Sequence, residues 1–435
     1  MLARGRVPLL AAALALVAAA AAVVLLLRRG DDGGSRTAAR AEPLAYVPAG
    51  ADDAVFDLDT SAPLVGLGLE QLAPRLTGGA LTAQQVRPLL GGRAVVAMGG
   101  DRTWLVFSTE APAPRLAGGA VAAARGGVVV IARTRADVDA ALTAASAPAA
   151  RYARATFDKR FDGLPADASV RVAFDPRAQL AKRAPQLAAT KWGRSLRDGA
   201  AVLTTSGAQL QAPFRLSADP VGLEPDDLPF ATGAAAPQAR GSAPLVVGVR
   251  DPARTLAFVR RAGLLPELNL VDQLPGFLKP DLNDLGASGT LTSRTLDLER
   301  LTLRVEPPDP GDWSSKLARL DALSGLAQQA GVDVDISHHD GVYDITRDGT
   351  LVVRVGVFGR AVVLSNDAEA DLRAAAAAPA MATPPGAAGG LTARLLTDAL
   401  AAQLPPLLSG RLGDLTAWAR AEPTGLSGQV RLAVR

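Results

Sequence analysis

Val170-Arg171-Val172-Ala173-Phe174-Asp175-Pro176 and, further along, Val246-Val247-Gly248-Val249-Arg250-Asp251-Pro252 spell one phrase twice. Each is a short apolar run rich in Val, closed by an Asp that can cap a helix and a Pro suited to the first helical position. Each also carries a Leu four residues after its Pro, Leu180 and Leu256. The phrase therefore predicts strand, cap, helix, and its recurrence predicts two related α+β halves.

The flanking sequence extends the same vocabulary. Val128 to Ala132 is a buried-type strand, followed by Thr134-Arg135-Ala136-Asp137 as a helix start running to Ala145. Ala361 to Leu364, with Asn366 or Asp367 as cap and a helix from Ala368, repeats that plan. Leu391 to Leu396, capped by Thr397 before a helix Asp398 to Leu404, is a further unit. Earlier, Ala54 to Asp59 alternates as a strand, and Ser61 and Pro63 open a helix. Hairpins are expected at Arg93–Met98 with Thr103–Ser108, at Ala200–Thr205 with Gln209–Ser217, and over Gly286–Glu306. A helix Trp313 to Ala330 capped by Asp312, a meander Val332 to Leu364, and closing strands Leu415–Ala421 and Gly425–Val434 complete the pattern. Asp219 to Pro244 holds five Pro and little periodicity, which marks a connection.

At the other extreme of the chain lies Val7 to Leu27, an uncharged run of seven Leu, four Val, nine Ala and Pro8. A helix of that length reaches about 30 Å, the thickness of a bilayer core. Its Leu and Val residues favour insertion by roughly 3–7 kcal/mol. The expected organisation is an N-terminal tail 1–6, a transmembrane signal-anchor 7–27, a flexible tether 28–43, a first half 44–220, a connection 221–242 and a second half 243–435, with largely antiparallel sheets. A cleaved signal is the alternative for the N-terminus, since Ala18 to Ala22 offers small residues for processing. Orientation is read as extracytoplasmic, because large domains translocate largely regardless of flanking charge.

Charge follows the membrane flank. Residues 1–40 hold six Arg against Asp31 and Asp32, a net of +4, so the body carries −1 of the overall +3. That distribution favours membrane lipid contact through residues 7–27 and the flanking Arg, and it argues against a nucleic-acid partner. With no cysteine there is no disulfide, thiolate site or lipid-modified Cys.

The candidate chemistry is sparse. His338-His339-Asp340 carries the only two histidines, and neighbours on a strand point to opposite faces, so the expected role is a hairpin tip. Asp57 and Asp59 share one strand face, read as the wet side of a half-buried strand. Gly99-Gly100-Asp101-Arg102 and Gly118-Gly119 lack the context of a phosphate loop and read as turns. No residue is assigned as catalytic, cofactor-binding or metal-ligating, and no cofactor is expected.

Leu44-Ala45-Tyr46-Val47-Pro48-Ala49-Gly50-Ala51, followed by Val55-Phe56-Asp57-Leu58-Asp59, resembles a bacterial family called domain of unknown function 3352. Gly163-Leu164-Pro165-Ala166-Asp167-Ala168 before a strand is similar in style to that family's interior. The resemblance implies an N-terminal membrane span with an extracytoplasmic body, and it brings no catalytic residues. The first expectation is thus a membrane-anchored cell-envelope protein, a non-enzymatic binding or scaffolding module whose partner is an unknown envelope protein or hydrophobic ligand. A carrier of lipid or another hydrophobic ligand, with apolar stretches such as Leu264 to Leu270 lining a cavity, is the second. An enzyme is the third.

Overall fold

The computed structural model describes residues 42–264, 285–295, 300–329, 334–397 and 412–434. In chain order its strands are β1 Ala54–Asp59, β2 Arg93–Gly99, β3 Arg102–Ser108, β4 Val121–Arg125, β5 Val128–Ala132, β6 Val170–Phe174, β7 Leu196–Ser206, β8 Gln209–Ala218, β9 Leu245–Arg250, β10 Ser288–Ser293, β11 Leu301–Val305, β12 Val334–His339, β13 Val342–Arg347, β14 Thr350–Phe358, β15 Ala361–Ser365, β16 Leu391–Leu395, β17 Leu412–Glu422 and β18 Gly425–Val434. All eighteen belong to one sheet. Every pairing is antiparallel, and the spatial order is β4-β5-β3-β2-β1-β6-β7-β8-β18-β17-β16-β9-β10-β11-β15-β14-β13-β12.

This overturns the expected fold class. The chain mixes helix and strand, but it does not form two α+β halves each with its own sheet: a single sheet with few helices runs through the whole described body. The join is the β8–β18 pair, from Gly425 opposite Ser217 to Ala433 opposite Gln209. Sequence periodicity marks a strand but not its distant neighbour, so pairing across more than two hundred residues was invisible. The repeated phrase also has a local cause. The strand before Asp175 sits beside β1 and β7, whereas the strand before Asp251 sits between β10 and β16. What they share is capping: Asp175 accepts from the Arg177 and Ala178 N–H groups, and Asp251 accepts from that of Arg254. Asp251 does so from a left-handed backbone (φ 50°), unlike Asp175.

Among the described residues no helix is long and apolar enough to cross a membrane. The run Val7–Leu27, the tether and the helix expected at Asp398–Leu404 lie outside the described residues, as does most of Leu264–Leu270. Two helix starts are also corrected. The long helix begins at Pro310, with Asp309 accepting from the Asp312 N–H, and the helix after β15 spans Leu372–Ala376 with Asp371 as its cap. Asp367 instead accepts from the Glu369 N–H two residues on.

One face of the sheet, face A, is apolar from end to end. Leu58, Val96, Leu105 and Ile131 lie at one side, Leu216, Leu426 and Val430 in the middle, and Val305, Val355 and Ile345 at the other. The helix Pro63–Leu76 places Val65, Leu69 and Ala73 on this face at i, i+4, i+8, the spacing of one helical stripe. Further along, the helix Pro310–Gln329 packs Trp313 and Leu317 there.

Face B changes character along the sheet. On the N-terminal flank it is apolar, with Val55, Val95, Trp104, Val106, Val130 and Val202. The segment Leu44–Ala51 and the helices Arg135–Ser146 and Arg154–Lys159 cover it. From β8 onward the same face carries many polar side chains, with Val246 and Val363 among them as buried exceptions.

Candidate functional site

The polar part of face B follows from register. One row across the sheet reads Gln211, Arg431, Thr416, Arg394, Val246, Thr292, Thr302, Ser365, Arg354, Asp344. The next reads Pro213, Gln429, Trp418, Thr392, Gly248, Thr290, Arg304. Because side chains alternate along a strand, these hydroxyls and guanidinium groups emerge opposite the apolar residues of face A.

Irregular chain crosses part of this face, in contrast to the helices of the N-terminal flank. After Leu228 and Phe230, buried in the face A core, the connection passes the strand ends where the Gly389 N–H donates to Gly233 O, and then lies across β9 and β16. Gly248 permits that approach: a Cβ there would stand 2.6 Å from Thr392 Oγ1 and 2.9 Å from Ala239 Cβ. A backbone without regular structure needs partners, and the strands supply them. Thr392 Oγ1 donates to Pro237 O at 3.0 Å, Arg394 Nη2 to Gly241 O at 3.0 Å and Arg250 Nη2 to Ala235 O at 2.7 Å, while the Arg240 N–H donates to Thr290 Oγ1 at 3.1 Å.

The arginines of this face fall into two sets. Arg304 pairs with Glu306 at 2.7 Å, Arg354 with Asp344 at 2.7 Å and Arg420 with Glu422 at 2.5 Å. The hydrogen bond and charge of Arg304 hold the Glu306 carboxyl below its ordinary range, against the effect of burial. Arg215, Arg250, Arg394 and Arg431 meet no carboxylate among the described residues. Arg215 donates to Asp162 O, and Arg431 donates to Gln429 Oε1 at 3.1 Å, whose amide in turn donates to Gln211 at 2.9 Å. Among the described residues the buried Nε atoms of Arg250, Arg394 and Arg431 and the Trp418 indole N–H have no hydrogen-bond partner.

The residues singled out from sequence are not brought together. Asp57 is 3 % exposed and ion-paired with Arg93, so it is not on a wet face as expected: Val95 and Arg171 flank it across β2 and β6, under the covering helices. Asp59 instead accepts from the Ser61 N–H and hydroxyl at the start of the next helix. His338 and His339 do point to opposite faces of edge strand β12. His338 stacks on Tyr343, with ring centroids 4.2 Å apart, while His339 Nε2 lies 3.1 Å from Arg354 Nη2. The glycines at 100, 118 and 119 take positive φ, as turns do. Among the described residues no group of three or more His, Asp or Glu is placed to hold a metal.

A shallow open cleft of about 430 Å³ lies at the far end of the sheet, lined by Asp340, Val357, Phe358 and Arg373 among others. The Arg373 guanidinium lies 5.2 Å from the Phe358 ring centroid and donates to Asp340 O at 3.1 Å. Sequence reasoning missed the arginine face, because its members come from β8, β9, β16 and β18 and no short motif contains them. The alternation Arg394, Thr392 and Arg431, Gln429 opposite apolar neighbours was the only signal.

No protein family matches the chain, and no curated protein does. Among solved structures it is similar to crystal form III of TP0453, at 10% identity over 43% of this chain and 84% of that one, with a TM-score of 0.29. Crystal form I of TP0453 gives 11% identity over 41% and 80%, with a TM-score of 0.27. Likeness at that level carries no argument about activity or ligand.

Proposed function

We propose that this chain is a membrane-anchored cell-envelope protein whose body is a non-enzymatic binding module held outside the cytoplasm. The anchor is the apolar run Val7–Leu27, and membership of the domain of unknown function 3352 family is part of the same reading. The observation that carries the binding role is the unevenness of face B. One flank is closed by helices over apolar side chains, whereas the other presents half-buried guanidinium groups with no carboxylate opposite them among the described residues. Uncompensated charge at such a position is costly unless a ligand or partner meets it.

The test is topological and biochemical. Protease added to intact cells should degrade the body, protease added to inverted inner-membrane vesicles should not, and the full-length chain should enter the detergent phase on phase separation. A body protected in cells but cut in inverted vesicles overturns the reading, as does a full-length chain that stays in the aqueous phase. The carrier reading has no specific observation behind it, since the cleft at Asp340 and Arg373 is open and partly polar.

A further inference from the structure

We infer that face B over β16, β17 and β18 is an oxyanion site, which takes a phosphate group between Arg394 and Arg431 with Thr416 beneath it. The inference deepens the binding reading above and rests on it. Arg394 and Arg431 lie in one row with Thr416 on the strand between them. Two strand spacings set their Cα atoms about 10 Å apart, a span that two arginine stems can close over a single small group. Each guanidinium commits Nη2 to a neutral acceptor, Gly241 O or Gln429 Oε1, and among the described residues no acceptor meets its Nη1.

The patch is short of acceptors. The Nε of both arginines and the indole N–H of Trp418, which adjoins Thr416 along β17, are buried donors without a hydrogen-bond partner among the described residues. The Gln429 amide is already spent on Gln211. Elsewhere on this face the protein answers its arginines with Glu306, Asp344 and Glu422, and here no carboxylate among the described residues does so. An oxyanion supplies both missing quantities, negative charge and lone pairs, and charge-assisted bonds to a guanidinium fork are among the stronger kinds. A tetrahedral phosphate offers oxygens in both directions at once, whereas a planar carboxylate matches one fork only. Arg215 and Arg250 lie on the same face four residues further along β8 and β9, outside the patch itself.

The test measures titration calorimetry on the full chain in a non-ionic detergent with inorganic phosphate, glycerol phosphate and acetate. The expected result is saturable binding of a phosphate probe and none of acetate. R394Q/R431Q should abolish it, and R394K/R431K, which keeps charge and fold, should weaken it by about tenfold or more because an ammonium lacks the planar fork. Equal binding of both phosphate probes identifies free phosphate as the source, and preference for the ester identifies a lipid headgroup. Binding of neither probe, acetate binding as tightly as phosphate, or affinity unchanged in both double variants overturns the site. Because the binding reading is tested by topology and phase partition, a body that proves external and membrane-held but ignores phosphate loses this assignment alone.

Discussion

The two flanks of the sheet solve the same burial problem on face B in different ways. On the N-terminal flank Trp104, Val106 and Val130 are wholly buried under helices. A helix satisfies its own backbone, so its sheet can remain apolar, and the Trp104 indole N–H needs only the Asp137 carbonyl at 3.0 Å. On the C-terminal flank an irregular strap lies on the strands, and an irregular backbone must borrow partners. Thr290, Thr392, Arg250 and Arg394 provide them. The nature of the cover thus determines the chemistry of the strands beneath it, and polar strands under a partial cover are where unpaired arginines can persist.

The largest effect that could break this contrast is on the helix-covered side. Trp104→Ala removes a wholly buried ring and should cost about 3–5 kcal/mol, read as a lower urea midpoint with m unchanged. A loss under 1 kcal/mol would mean that the helices do not close the core as described. On the strap side, Gly248→Val drives a side chain into Thr392 and Ala239. The expected cost is about 1–3 kcal/mol, accompanied by new proteolytic cuts within residues 231–244, while cuts around the helix Arg135–Ser146 stay unchanged.

The contrast between flanks also bounds what sequence could reveal. Local signals were strong wherever they were local in origin. The alternation of Ala54–Asp59, the Gly100 and Gly207 turns, the Asp175 and Asp251 caps and the Thr134 cap all appear at the expected places. Strand β4, Val121 to Arg125, was missed because after its single β-branched residue, Val121, it holds only three Ala before Arg125. The helices at Arg154–Lys159 and Lys191–Ser195 are too short for periodicity to register. The union of everything into one sheet depends on β8 meeting β18, a contact with no local signature. Arginine pairing is likewise a property of register: nothing within Leu391–Leu395 says that Arg394 meets no carboxylate among the described residues.

A smaller effect separates the two kinds of cover. Thr290 is 2 % exposed and its hydroxyl accepts from the strap at Arg240 N. Thr290→Val conserves shape but strands that N–H, at a cost of about 1–2 kcal/mol. The reciprocal Val130→Thr, under the helices, should cost a similar amount for the opposite reason, an unpartnered hydroxyl. The cross-test is to place each polar residue on the other flank's pattern: if Thr290→Val proves neutral, the strap does not depend on the strand hydroxyls and the argument from cover to composition fails.

The smallest effect is electrostatic and unites the flanks. Asp158, on the helix side, is disfavoured as an anion by burial, but hydrogen bonds and charge from Arg154 and Arg171 outweigh this and hold it below the ordinary aspartate range. Glu306, on the strap side, is held low by Arg304. In both cases the unfolded chain binds the proton more readily than the folded one. Each group therefore contributes stability that is fully present above the ordinary carboxylate pKa and is lost as pH falls through the depressed folded value, roughly below pH 4. Both side chains are about two-fifths exposed (42% and 39%), so solvent screening keeps each contribution below about 1 kcal/mol. D158N/E306Q should lower the urea midpoint slightly at pH 7 and converge on the parent near pH 3. Parallel curves at both pH values would show that these two pairs do not set the acid limb, and that the flanks differ in their electrostatics as well as in their cover.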